Sequence, residues 1–140
     1  MFTVFTTSKV QGSAGQIHTM RGGHGEPLLL LHGHPQSHVM WHLVAEELAK
    51  HFTVVMMDLR GYGWSSAPPG EGGAQYTKRV MADDVIAVME ELGHVQFMLA
   101  GHDRGARAGY RLALDHPGRI SRLALLDIIP TCQVWRNIEA

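Results

Sequence analysis

The sequence is short of the features that would sort it quickly. It has one cysteine, Cys132, in 140 residues, which excludes an internal disulfide framework and points to a reducing compartment. It has no charge excess either: 12 Lys and Arg stand against 13 Asp and Glu, a formal net charge of −1. Both signs are dispersed, so the electrostatic footprint of a nucleic-acid or anionic-membrane binder is missing. The longest aliphatic run, Leu28–Leu31, is far too short to span a bilayer. The opening "MFTVFTTSKV" lacks the basic-then-apolar order of a secretory signal. The expectation is a cytoplasmic domain with no nucleic acid and no membrane among its partners. A preference for an anionic ligand must then come from a few placed arginines.

What is present is a globular composition, 45% hydrophobic and 18% charged, in a chain long enough for one core. Two β-prone pieces flank "QGSAGQ" and predict a hairpin. "PLLLLHG" and "FTVVMMD" are continuously apolar, the pattern of strands buried on both faces. Between them, Trp41, Val44, Ala45 and Leu48 fall at helical spacing. "GYGWSSAPPGEGG" is a loop by its glycine and proline content, without a helix opening at its glycines to cradle phosphate. It is expected to pack beneath a site. Thr77 can cap a helix carrying the stripe Met81, Val85, Val88, Met89 and Leu92, which Gly93 stops. "VQFMLAG" is a third strand, followed by a helix ending near His116-Pro117-Gly118. "RISRLALLDI" contributes a fourth buried strand, Ile120 to Asp127.

Alternation of strand and helix predicts an α/β fold, a mostly parallel sheet with helices on both faces. Ligands of such sheets sit outside the carboxyl ends of the strands. His32 to Pro35, Asp103 and Asp127 all fall at that edge, which argues for one site.

The motif that carries chemistry is Gly101-His102-Asp103-Arg104-Gly105. It fits the nucleophile-elbow pattern G-x-S-x-G with aspartate in the serine position. Glycines on either side let a strained strand-to-helix turn close around the nucleophile. The backbone amide of Arg104 then points into the site, and "HGHP" is placed to add the amide of His34, forming a two-donor oxyanion hole.

On "LLLHGHPQSHVMW", "FTVVMMDLRGYGWSS", "GHDRGAR" and "HPGRISRLALLDIIPT" the chain resembles the α/β-hydrolases, and within them the haloacetate (fluoroacetate) dehalogenases. The likeness covers nearly everything from Pro27 to Thr131. It implies an α/β-hydrolase fold truncated before the cap and the last strands, with residues 1–140 forming the N-terminal part of a single core domain. Asp103 becomes the catalytic nucleophile and Asp127 the acid that orients a catalytic histidine. Arg104 and Arg107 become ligands for the substrate carboxylate, and His34, standing where phenylalanine is common, part of the pocket wall. Ala106 stands where the family often has a second glycine. The family's water-activating histidine and halide-binding side chains lie in its cap and C-terminal half, so the chain resembles the N-terminal half only.

The chemistry agrees with that likeness. A carboxylate can displace halide from saturated carbon and leave an ester on the enzyme. Neighbouring guanidinium groups keep it ionised and suit the carboxylate of a small halo acid.

Blander readings stand beside these. Asp103 can be a helix N-cap, Asp127 a turn former before Pro130, and the arginines a solvated helix face. Arg111, with Asp115 at i+4, fits that last reading and is left out of the site. His38 and His42 share a helix spacing but lack the zincin glutamate, and His32 and His34 belong to the donor loop. No metal and no cofactor is expected. The expected partner is a small anionic substrate, and an unprotected last strand invites self-association. The leading function is hydrolysis of short 2-halo carboxylic acids through an aspartyl ester. Epoxide hydrolysis, which shares the elbow aspartate, is the alternative, and an inactive truncated domain is the third.

Overall fold

The computed structural model describes residues 2–138. Six strands form one sheet: β1 (Phe5–Gly12), β2 (Gly15–Gly23), β3 (Glu26–Leu31), β4 (Phe52–Met57), β5 (Phe97–His102) and β6 (Ile120–Leu126). Their spatial order is β1-β2-β4-β3-β5-β6. The hairpin β1–β2 joins the rest through an antiparallel β2–β4 pair; β4, β3, β5 and β6 run parallel. The helices are α1 (Ala45–Leu48), α2 (Lys78–Glu91), α3 (Arg104–Asp115) and α4 (Thr131–Ile138).

Continuous apolarity of the central strands is explained by what each face meets. Leu29 and Leu31 of β3, with Val55 and Met57 of β4, pack against the α2 stripe Met81, Val85, Val88 and Met89 and against Leu112 of α3. Leu30, Val54 and Met56 point the other way, onto Trp41, Ala45 and Ala49. Strand side chains alternate, so a run with no polar partner needs cover on both sides. Burying each such side chain contributes about 1.5–3 kcal/mol.

The cap and stop of α2 are as expected: Thr77 accepts from the amide of Val80, and Gly93 has φ 82°, which glycine adopts without steric cost. Two expectations are corrected. The helix predicted across Trp41 to Leu48 is a 3-10 turn, His38–Trp41, and then the single turn α1. Trp41 and Ala45 are buried, whereas Val44 is exposed. The run "HVMWHLV" is poor in helix formers, and tertiary burial of Trp41 decides the local shape. The second correction concerns β6. It has the composition of a buried strand but lies at the sheet edge, and Leu123, Leu125 and Leu126 are exposed. Among the described residues only β5 pairs with it.

Among the described residues no helix is long and apolar enough to cross a membrane.

Candidate active site

The elbow is built at the carboxyl end of β5. Asp103 has φ 45° and ψ −112°, a conformation that costs free energy for any residue with a Cβ. What holds it is the absence of side chains on both sides. A Cβ on Gly105 would meet the carbonyl oxygens of Leu31 and His32 at 2.5 Å, and one on Gly101 would meet the Ala106 nitrogen at 2.7 Å. Helix α3 therefore comes down directly onto the ends of β3 and β5. The turn is pinned further by the Asp103 amide, which donates to the Leu126 carbonyl at 3.1 Å.

Asp103 does not behave as an N-cap, for its side chain makes no capping hydrogen bond to the helix. Its Oδ2 instead accepts from the backbone amide of His34 at 2.9 Å. Gly33 allows this approach, since a Cβ there would lie 2.7 Å from the Asp103 Cβ. Burial raises the Asp103 carboxyl pKa, but the amides of His34 and Arg104 and the charges of His102 and Arg104 outweigh it and hold the carboxyl below its ordinary value. Of the two amides named from sequence, that of His34 is hydrogen-bonded to this carboxylate, and that of Arg104 acts on it from the start of α3.

The loop below is held by buried histidine chemistry. His32 is fully buried. Its Nε2 accepts from the Leu59 amide at 3.0 Å, so its Nδ1 carries the proton and donates to the Gly33 carbonyl at 2.8 Å. Burial is the main force keeping this ring's pKa low. The loop after β4 packs under the site as expected: Tyr62 Oη lies 3.2 Å from His34 Nδ1, and Ser65 Oγ donates to the Asp58 carbonyl at 2.6 Å. The His34 imidazole is thereby turned toward Tyr62.

The remaining predicted residues are spread around the elbow. Arg104 is exposed and Arg107 half-buried. Arg107 donates to Thr131 Oγ1 at 3.3 Å. It lines an open cleft of about 460 Å³ with Asp127, Ile128, Ile129 and Val134. Asp127 is exposed, has φ 57° and approaches His102, its Oδ2 lying 3.6 Å from Nε2. His102 is the histidine paired with it among the described residues. Arg111 pairs with Asp115 in the last turns of α3, away from the elbow, as its spacing indicated.

Sequence reasoning missed Lys78. Burial lowers its ammonium pKa first, repulsion from Arg104 and Arg107 lowers it further, and Asp103 opposes both. A third cation therefore shares the field of the elbow. No local motif signals it, because it opens α2, a helix brought alongside α3 only by the fold.

With this geometry in place, the likeness to known proteins can be weighed. A family model described as alpha/beta hydrolase fold matches residues 26–139. The chain belongs to that family. Among α/β-hydrolases, a fluoroacetate dehalogenase from Burkholderia sp is 48% identical over 140 residues, covering 99% of this chain and 46% of the relative. A soluble epoxide hydrolase from Corynebacterium sp. (strain C12) is 38% identical over 130 residues, 93% of this chain and 44% of the relative. A solved structure from Nostoc sp PCC 7120, assigned to the α/β-hydrolases, superposes with a TM-score of 0.94 at 55% identity, covering 97% of this chain and 47% of that one. The chain thus spans less than half the length of these relatives.

Proposed function

We propose that residues 1–140 are the N-terminal, nucleophile-bearing part of one hydrolase core that removes halide from short 2-halo carboxylic acids. The observation that carries this reading is the cationic character of the elbow: Arg104 and Lys78 both act on Asp103, and Arg107, which also repels Lys78, lines the adjoining cleft. Beyond keeping the carboxylate ionised, such cations draw in an anionic substrate that the carboxylate alone would repel.

The chemistry follows from the geometry. With Oδ2 held by the His34 amide, the other oxygen of Asp103 attacks the halogen-bearing carbon. The carbon–halogen bond breaks with its electron pair on the halide, leaving an aspartyl ester. Arg107, at the wall of the cleft, and Arg104 hold the acid end through charge-assisted hydrogen bonds. Water then attacks the carbonyl carbon of Asp103, surrendering a proton to a base. The amides of His34 and Arg104 stabilise the oxyanion formed on Oδ2. Collapse returns the carboxylate and frees the hydroxy acid, glycolate in the case of a haloacetate. Asp127 orients the histidine that serves as base.

The test is incubation with chloroacetate followed by peptide mass spectrometry. A carboxymethyl ester on the Asp103 peptide, cleaved by hydroxylamine, is expected to accumulate with little turnover from residues 1–140 alone. A thioether confined to Cys132 counts against the reading. Epoxide hydrolysis is the second reading, favoured by the likeness to the Corynebacterium enzyme. An ester formed with styrene oxide and not with chloroacetate decides for it. An inert domain associating through β6 gives neither ester, and sediments as a dimer or larger species at micromolar concentration.

A further inference from the structure

A second group of side chains, beneath the donor loop, is organised for a different chemistry. His18 on β2, His38 in the 3-10 turn and Asp58 just after β4 are all buried. One ring nitrogen from each histidine and one carboxylate oxygen lie within 4.8 Å of one another. The three line a cavity of about 460 Å³, shared with Phe2, Met20 and Trp64.

His18 is the informative member. It is 1% exposed, and neither ring nitrogen has a hydrogen-bond partner. Leaving a buried polar group unpaired is destabilising, so an imidazole in that state needs a reason. Its backbone is not free to escape. Its amide donates to Ser65 Oγ at 2.9 Å, and its carbonyl accepts from the Asp58 amide at 3.0 Å. The His18 backbone is therefore fixed beside Asp58 while its ring stays free to turn, with the His38 ring centroid 4.9 Å away.

The other two groups are already arranged as a ligand set. Asp58 Oδ1 accepts from the amide of His38 at 2.7 Å and faces its Nδ1 at 2.9 Å; Oδ2 accepts from the amide of Trp64 at 3.0 Å. Burial alone would raise the Asp58 carboxyl pKa; these bonds reverse that and keep it ionised. For His18 the balance is opposite. Burial lowers its pKa more than Asp58 raises it, and its two ring nitrogens are without partners. His32 approaches Asp58 only to 4.0 Å, and both of its nitrogens are engaged elsewhere.

We propose that His18, His38 and Asp58 form a binding site for one divalent transition-metal ion, with a fourth position open to the cavity. Two imidazoles and one carboxylate are a borderline-soft set suited to Zn²⁺ or Co²⁺, and poor for Mg²⁺ or Ca²⁺. Ligand atoms around such an ion at about 2.1 Å stand roughly 3.4 Å apart, so the cluster closes by about an ångström when the ion enters. Rotation of the partnerless His18 ring supplies that movement. The ion joins the hairpin, the end of β4 and the segment that leads out of the donor loop.

Cobalt titration of the full chain, with Cys132→Ser to remove the thiol, is the direct test. One equivalent of Co²⁺ should develop the visible bands of a four- or five-coordinate N/O site, and Zn²⁺ should displace it and raise Tm. His18→Leu should weaken binding at least about 100-fold while leaving the metal-free fold as stable or more so, since it removes an unpaired buried group. Proton–nitrogen NMR of the unmutated histidine rings reads the same event without a variant, by Zn²⁺-induced shifts confined to His18 and His38. An unchanged Co²⁺ spectrum, saturable binding equal in His18→Leu, or shifts confined to other histidines overturns the proposal.

Discussion

Two aspartates on neighbouring helices show what a fold does with a carboxylate and its cations. Asp84, in α2, is closed off. Arg60 Nε reaches its Oδ2 and Arg60 Nη2 its Oδ1, each at 2.6 Å. The rest of the guanidinium is bound by Ser13 Oγ at 2.6 Å and the Gln75 carbonyl at 3.0 Å. Every donor of that fork is addressed, and the pair ties the hairpin turn, the end of β4 and α2 into one unit. Asp103, at the start of α3, has Arg104 and Lys78 in its field, with Arg107 repelling Lys78 in turn, yet its Oδ2 accepts its hydrogen bond from a backbone amide, that of His34. Paired ions hold structure, whereas cations held back from a carboxylate leave it able to react and leave themselves able to bind an anion. Proximity of opposite charges is common to both; only geometry separates them.

That contrast can be broken at several points. Asp103→Asn should abolish ester formation, by about a thousandfold or more, while the chain stays folded, because asparagine tolerates positive φ. Peptide mass spectrometry and circular dichroism read the two halves of that expectation. Arg60→Met should do the reverse. It leaves a buried carboxylate unpaired at a cost of about 3–5 kcal/mol, visible as a lower urea midpoint; an unchanged midpoint would show that the Arg60 network is dispensable. Arg107→Gln should slow alkylation by chloroacetate about 10- to 100-fold, the worth of one charge-assisted hydrogen bond, without slowing alkylation by neutral chloroacetamide. The smallest expected effect is that of pH. The Asp103 carboxyl is held below its ordinary 3.8, so ester formation should be level from neutrality down past that value. It should fail only as pH drops through the lowered value, where the carboxylate takes up its proton. An alkylation rate that falls between pH 7 and 5 contradicts a carboxylate nucleophile so placed.

The parts of the molecule that follow from local rules could be read without coordinates. Thr77 and Gly93 bound α2, and the two-sided runs of β3 and β4 announced cover on both faces. The steric demand for Gly101 and Gly105 around the elbow is a property of the motif itself. The parts set by tertiary placement could not. Lys78 reaches the elbow because α2 lies against α3, and His18 meets His38 because a hairpin strand pairs with β4. The exposure of Leu123 and Leu125 depends on a neighbour in space, since a strand buried in a sheet and one at its edge share a composition. Likewise "HVMWHLV" gives up its helical period because the sheet captures Trp41. The roles of Asp127 and of the two arginines rest on family likeness together with their positions near the cleft.

The hydrogen bond from the His34 amide to Asp103 Oδ2 makes the two oxygens of a chemically symmetric carboxylate unequal. On the proposed chemistry one oxygen is reserved as the future carbonyl and the other becomes the blade. Displacement then proceeds along a single line, from behind the leaving halide. A substrate with four different groups on that carbon, such as 2-chloropropionate, should be consumed with inversion, one mirror image faster than the other. Inversion comes from the backside line itself, and the preference for one mirror image would come from where the acid end is held relative to the one oxygen left free by the His34 N–H.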